Sequence, residues 1–218
     1  EMWERFSYYG MQALLILYML SELNFSDAHS YTLFAAYASL VYITPLFGGM
    51  VADKYIGCRR AIIVGGVIMA LGHFSLAIPG NIAFYMGLAL LICGNGFFKA
   101  NISSLLGKLY KHGDPRRDSG FTIFYMGINI GAFFSPLLCG YIGHYYGWHF
   151  GFALAGIGML VGLGVFLRFI HTLDNHGLAP KEEKLHKRKF GLTVLGRVYL
   201  ASAILIPMLA LLLKNAIF

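Results

Sequence analysis

Four ionisable side chains lie in stretches of sequence that are otherwise apolar enough to cross a membrane. Glu1, Glu4 and Arg5 open the first of these stretches, and Lys99 lies inside another, with apolar residues on both sides. A charge near the bilayer centre costs roughly 3 kcal/mol on insertion scales. A chain retains such a charge where a partner charge, a water-filled cavity or a moving proton offsets the cost. These residues therefore predict ion pairing or proton exchange inside a membrane.

The first stretch carries a polar stripe if it is helical, because residues three and four positions apart share one helix face. Arg5 is spaced to pair with Glu1, which leaves Glu4 without a cation at the favourable spacing. Burial and a nearby arginine act on the proton affinity of a carboxyl in opposite directions, a balance that suits Glu4 to proton exchange. In the alternative interpretation, this is a cytoplasmic helix end whose charges meet lipid headgroups. The predicted stripe consists of Glu1, Glu4, Arg5, Tyr8, Tyr9 and Gln12.

Two polar residues stand out in later apolar stretches. The ammonium of Lys99 would either face a central cavity, where it meets a carboxylate or an anionic substrate group, or snorkel to the cytoplasmic interface. The amide of Asn129, which lies between Gly127 and Gly131, would make either an interhelical hydrogen bond or a ligand contact.

A glycine-rich segment with one carboxylate, Gly48 to Arg60, bridges the second and third apolar stretches. Its small residues permit close helix contact. Asp53 is predicted to pair with the basic residues that follow it or with a helix N-terminus.

The elements that position these residues are predicted to be transmembrane helices. Hydrophobic residues make up 58% of the chain and charged residues 12%, and the mean hydropathy is +0.66, whereas soluble chains carry about 25% charged residues. The apolar runs are too long for barrel strands of about 10 residues. Seven candidates of about 20 residues lie near 1–21, 31–52, 60–79, 82–106, 119–143, 149–171 and 195–214.

Basic residues are confined to alternate connections. The formal charge of +7 is concentrated in the 2–3 and 4–5 connections and in the 6–7 linker, while the other short connections carry no Lys or Arg. This pattern argues against nucleic-acid binding and predicts that the N-terminal end and the 6–7 linker are cytoplasmic. Six helices, a basic linker and a further helix are typical of half a two-bundle transporter.

The sequence offers no pattern of an enzyme. It lacks a His-rich metal pattern, a nucleophile beside a base and a phosphate-binding loop, so neither catalysis nor a metal site is predicted. The cysteines share no metal-ligand spacing and are predicted to be free thiols in packing roles: Cys58, Cys93 and Cys139. The chain begins with Glu1 and lacks a signal-peptide pattern, and we expect further residues upstream and downstream.

Four segments together resemble the proton-dependent oligopeptide transporter (POT/PTR) family of the major facilitator superfamily. They are the Glu-x-x-Glu-Arg-Phe-x-Tyr-Tyr-Gly opening, the Gly-Gly-Met-Val-Ala-Asp loop, the Gly-x-Gly-x-Phe-Lys segment and the Phe-Tyr-Met-Gly-Ile-Asn-Ile-Gly helix. They occur in order across about residues 1–170.

The resemblance implies a bacterial di- and tripeptide permease, a proton-coupled symporter working by alternating access in the inner membrane. The chain would supply about half of it and would be inactive without the C-terminal six-helix bundle. The proton is the coupling ion and no other cofactor is expected. Plant relatives carry nitrate and other solutes on a similar motif set, so another small solute is the alternative substrate.

The resemblance also implies roles for individual residues. The residues implied in proton coupling are Glu1, Glu4, Arg5 and Lys99. The residues implied in substrate binding are Arg5, Tyr8, Tyr9, Gln12, Tyr42, Lys99 and Asn129. The residues implied in structural gating are Gly49, Asp53, Arg59 and Arg60.

The implied architecture is all-α. Residues 1–171 form the N-terminal six-helix bundle, 172–194 the cytoplasmic basic linker, and 195–218 the first of two extra helices found in bacterial members.

Two positions depart from the family pattern: Gln12 replaces an arginine of several bacterial relatives, and Ala35 replaces a histidine of animal relatives. His73 is the mid-span histidine, either a packed neutral imidazole or a proton relay.

Overall fold

The computed structural model describes residues 1–111, 113–180 and 192–215. The predicted spans match its helices within four residues at each end. The helices are α1 (Met2–Ser21), α2 (Asp27–Val51), α3 (Gly57–Leu76), α4 (Asn81–Lys108), α5 (Arg116–Tyr146), α6 (Trp148–Phe169) and α7 (Val194–Asn215).

Among these described residues, five helical segments are long and apolar enough to cross a membrane. One of them, Asp27–Leu76, contains both α2 and α3, because the π-helical turn Ala52–Ile56 joins these helices without an extended loop. Three others are α4, α5 and α7, and the last is α6 together with the 3₁₀ helix Ile170–Leu173. The first helix, α1, does not reach this hydropathy, because Glu4, Arg5 and their polar neighbours occupy its first turns.

Helix α4 lies at the centre of one half of the bundle and packs against α2, α3 and α7. Helix α1 holds the other half together through its contacts with α5 and α6, and α3 and α6 join the two halves. This arrangement is the all-α bundle that the sequence predicts, with α1 and α4 as the inner helices.

Glycine permits the closest helix contacts. A Cβ at Gly48 of α2 would overlap the backbone of Gly96 in α4. A Cβ at Gly65 of α3 would lie 2.6 Å from the carbonyl oxygen of Gly94. Small residues let backbones approach and gain packing contacts in a membrane, where no hydrophobic force drives helices together.

Helix α5 packs through a stripe of small residues spaced by four. Its buried residues are Gly131, Ser135, Cys139 and Gly143, and a Cβ at Gly10 of α1 would lie 2.6 Å from Cys139 Sγ. Cys139 is therefore a packing residue, and all three cysteines are buried free thiols, as predicted.

The segment after α6 returns along the basic end of α3 and α4 as far as Pro180. Ala179 is buried there, against the turn at Gly57, whose φ of +78° suits glycine. The predicted bundle boundary at residue 171 falls in the 3₁₀ helix Ile170–Leu173. The basic linker residues 181–191 and the last three residues of the predicted extra helix lie outside the described residues, and the domain division stays a prediction.

Candidate functional site

Arg5 pairs with both carboxylates of the first helix. Its Nε lies 2.6 Å from Glu4 Oε2 and 3.2 Å from Glu1 Oε1, and its Nη2 donates to Glu4 Oε1 at 2.6 Å. Glu4 thus finds its cation at the adjacent position and not at the three- or four-residue spacing. Adjacent residues diverge on a helix, but the long, forked guanidinium folds back to meet the carboxylate with two parallel hydrogen bonds.

This charge cluster, which we define as Glu1, Glu4 and Arg5, is buried. Glu4 is 1% exposed and Arg5 is 5% exposed. The guanidinium carbon lies 5.2 Å from the centroid of the Tyr8 ring, which adds a cation–π contact. The cluster carries one formal negative charge in excess, because two carboxylates share one guanidinium.

Lys99 of α4 lies close to the charge cluster rather than at the helix end. Its Nζ is 4.5 Å from the centroid of the Tyr42 ring on α2, and it is within electrostatic range of Arg5 and of both carboxylates. Within the described part of the chain, no carboxylate lies within 4.0 Å of this ammonium. Three helices, α1, α2 and α4, thus contribute to one polar region, and the role of Lys99 in substrate binding stays a prediction.

Tyrosines line this region. Tyr8 is buried and Tyr9 half-buried, with their rings edge to face at 5.4 Å, while Tyr42 is 69% exposed. Tyr37 of α2 joins this region without having been predicted from the sequence, and it is buried within electrostatic range of Tyr8 and Glu4. The spacing of Leu33, Tyr37 and Val41 on one helix face is the signal that predicts its burial.

Gln12 and Asn129 are more exposed than the buried side chains of the charge cluster. Gln12 is half-buried, one helical turn beyond Tyr8. Asn129 lies on the exposed face of α5, where its amide donates to the carbonyl of Tyr125 at 3.0 Å and to no other helix among the described residues, so its ligand contact stays a prediction. Asn129 lines a shallow hollow with Thr122, Tyr125, Met126, Ile130, Phe133 and Phe134.

The α2–α3 turn and the segment after α6 interlock at the basic end of the bundle. Asp53 Oδ1 lies 3.4 Å from Lys108 Nζ of α4, so its partner is a distant lysine and not the basic pair that follows it. Arg59 instead donates to the carbonyls of Asp174 and His176, each at 2.5 Å.

The two other predicted gating residues lie close by. Gly49 faces α4, where a Cβ would make an ordinary contact of 3.5 Å with Ala100. Arg60 lies in the first turn of α3 and is partly exposed.

His73 is fully buried in α3 against Gly156 of α6. Neither ring nitrogen has a hydrogen-bond partner among residues that the structure describes, which favours a packed imidazole over a relay. In the same part of the chain, no group of three or more His, Cys, Asp or Glu side chains is placed to hold a metal ion.

Comparisons with known proteins agree with this architecture. The POT family (PTR2) profile matches residues 59–183. The uncharacterized transporter YclF of Bacillus subtilis (strain 168) is 43% identical over 214 residues, which cover 94% of this chain and 43% of that protein. Dipeptide and tripeptide permease A of Enterobacter sp. (strain 638) is 42% identical over 204 residues, covering 93% of this chain and 41% of the permease.

Two solved structures have the same helix arrangement. A bacterial homologue of the human drug peptide transporters PepT1 and PepT2 superposes with a TM-score of 0.86 at 33% identity, covering 99% of this chain and 48% of that one. A peptide transporter POT mutant in complex with alafosfalin superposes with a TM-score of 0.80 at 38% identity. The match covers 100% of this chain and 45% of that one. The chain spans less than half the length of these relatives. The profile match, the identities and the shared fold together show that the chain is a multi-pass membrane protein with a major facilitator fold and belongs to the POT family.

Proposed function

We propose that this chain is the N-terminal half of a proton-coupled symporter that imports di- and tripeptides by alternating access. The names of the related permeases support the substrate class. The observation that carries the proposal is the buried charge cluster with the ammonium of Lys99 nearby on another helix. Such charges inside a membrane protein indicate a substrate or ion pathway.

A short peptide is a zwitterion, so its two ends require opposite charges. Both Arg5 and Lys99 suit the peptide carboxylate, but Arg5 already contacts Glu4 and Glu1. Lys99 contacts the face of Tyr42 instead of a carboxylate. The peptide carboxylate is therefore assigned first to Lys99, and the acidic residues suit the peptide amine.

Proton coupling follows from competition for Arg5. A proton on Glu4 or Glu1 removes a negative charge and weakens the hold on the guanidinium, which is then available to a peptide carboxylate. Proton and peptide thus favour each other's binding, and this coupling is reciprocal. The carriers of the proton are Glu1 and Glu4, and the responding cations are Arg5 and Lys99.

The remaining assignments follow the geometry of the open side of the bundle. Tyr8, Tyr9, Gln12 and Tyr42 line the peptide site, and Asn129 reaches a bound peptide from the exposed face of α5. Gly49, Asp53, Arg59 and Arg60 hold the cytoplasmic gate. The second six-helix bundle closes the site from the opposite side.

The placement of basic residues supports the orientation. Most Lys and Arg residues lie in the connection around Asp53, in the connection that begins at Lys108, and in the linker that leads into α7. This distribution marks the cytoplasmic side of a bacterial inner membrane. The protein acts as a transporter, with the proton as its coupling ion.

The test uses the complete transporter in proteoliposomes with an inward proton gradient and radiolabelled dialanine, competed by excess tripeptide. Lys99→Ala should abolish proton-driven accumulation. Lys111→Ala is the matched control, because Lys111 is an exposed lysine just after the same helix, and should retain uptake. Glu4→Gln should lose uphill uptake but keep some counterflow exchange.

Three outcomes would refute parts of this scheme. Normal uphill uptake by Lys99→Ala would remove the assigned role of that ammonium. Full pH-driven uptake by Glu4→Gln would remove the proton role of that carboxyl. Accumulation of nitrate but not of dialanine by the native protein would replace peptides as the substrate class.

A further inference from the structure

An apolar groove runs between α2, α4 and α7, apart from the charged site. Helix α7 packs on α4 and leaves a cavity of about 650 Å³ beside α2, within the range of ligand pockets in proteins. Its walls include Ile43 and Phe47 of α2, Phe97 of α4 and Leu205 of α7. The lining contains none of the residues assigned to proton coupling.

The groove is elongated along the helices. Its lining extends from Leu40 to Val51 on α2 and from Val194 to Leu209 on α7, or about 17 and 23 Å at 1.5 Å per residue. This shape suits an extended hydrocarbon chain that lies parallel to the helices.

The groove walls offer little hydrogen bonding to a ligand. The hydroxyl of Thr44 donates to the carbonyl of Ile92 at 3.0 Å, and that of Ser202 donates to the carbonyl of Val198 at 3.0 Å. Since both hydroxyls are satisfied within the protein, the groove favours an occupant with no polar groups along its length.

A cation lies at the cytoplasmic mouth of the groove. Arg197 lines the cavity one turn into α7 and is exposed. Across the described ranges, no carboxylate lies within 4.0 Å of its guanidinium. A guanidinium recognises phosphate with two parallel hydrogen bonds.

We propose that this groove binds an acidic phospholipid of the cytoplasmic leaflet, with one acyl chain between α2 and α7 and the headgroup phosphate at Arg197. A phospholipid supplies both parts that the groove requires, an apolar chain and an anionic group at one end. A helix from the rest of a longer protein would fill the apolar part but would not require the arginine.

The test is native mass spectrometry of the complete transporter in detergent with added phosphatidylglycerol or phosphatidylcholine. Phosphatidylglycerol should be retained in preference to phosphatidylcholine. Arg197→Gln should weaken phosphatidylglycerol binding about fivefold, the effect of one cation near an anionic headgroup. Arg168→Gln is the matched control, since Arg168 is also an exposed arginine at the basic end of a helix, and should leave binding unchanged.

A second variant tests the acyl chain. Ala201→Phe places a ring in the groove and should reduce the retention of both lipids, with Ser202→Leu in its place if that variant does not fold. Equal retention of the two lipids by the native protein, or unchanged binding in Arg197→Gln, would overturn the proposal. So would a cross-link from Ala201→Cys to a transmembrane helix other than α2 and α4, with no lipid retained.

Discussion

Two ion pairs, one between Arg5 and Glu4 and one between Lys108 and Asp53, have similar chemistry and opposite surroundings. Arg5 and Glu4 meet at 2.6 Å with side chains 6% and 1% exposed. Lys108 and Asp53 lie 3.4 Å apart with side chains 45% and 65% exposed. The first pair lies in the bundle interior, and the second lies at its basic end.

The difference decides what each pair can do. If one partner of a buried pair is removed, the other is left as an uncompensated charge, which is strongly destabilising. If one partner of an exposed pair is removed, water solvates the other and little changes. The interior pair can therefore couple a proton to the state of the bundle, whereas the exposed pair can only adjust a surface contact.

The largest expected effect is that of Arg5→Met. Two buried carboxylates would lose their cation, and the free energy of unfolding should fall by about 3–5 kcal/mol. Denaturation in mixed detergent and dodecyl sulfate micelles measures this. Arg168→Met, at an exposed arginine, is the control, and equal unfolding midpoints for the two variants would contradict the burial of the charge cluster.

An intermediate effect is expected for Arg59→Ala. Arg59 is partly exposed and donates to the carbonyls of Asp174 and His176, so its loss should cost about 1.5 kcal/mol, the lower end of the range for hydrogen bonds to charged groups. The same denaturation measures it. Lys54→Ala removes a nearby exposed cation and should have no measurable effect, and an equal loss in both variants would exclude an interlock at Arg59.

Asp53→Asn should change stability by less than about 1 kcal/mol, because the partner Lys108 and Asp53 are both accessible to water. High salt should remove most of that difference. If Asp53→Asn costs as much as Arg5→Met, the comparison between interior and exposed pairs fails.

The smallest effect concerns Asp114 in the loop between α4 and α5. Hydrogen bonds from the side chain and backbone of Arg116 lower the pKa of Asp114 from its ordinary value of 3.8 to about 2. Since the folded state favours the ionised form, this contribution is fully present above about pH 4 and is lost as the pH falls towards 2. Carboxyl chemical shifts measure this titration, and Arg116→Gln should return the midpoint towards the ordinary range. A midpoint near 4 in the native protein would contradict the hydrogen bonds.

The helices could be predicted because apolar length and turn residues are local properties of the sequence. The stretch predicted at 82–106 is α4, Asn81–Lys108, and the predicted close packing of small residues in the segment from Gly48 is confirmed at Gly48.

The side-chain contacts of the charged residues could not be predicted from local sequence patterns. The pairing of Arg5 with Glu4 contradicts the spacing rule, because it depends on how a long side chain folds back in a crowded interior. The contact of Lys99 with Tyr42 and the pair of Asp53 with Lys108 join residues that are more than 50 positions apart. Such contacts depend on which helices are neighbours, and spacing along one helix does not contain that information.

The excess negative charge of the Glu1–Glu4–Arg5 cluster has a consequence for biosynthesis. The ammonium that offsets it, Lys99, follows about 95 positions later, so at about 5–20 residues per second a ribosome needs roughly 5–20 s to supply it. During that interval the nascent first helix carries an acidic surplus that lipid cannot solvate. We therefore expect one of the two carboxyls to carry a proton until the fourth helix arrives, because a buried carboxyl without a partner neutralises rather than remaining charged.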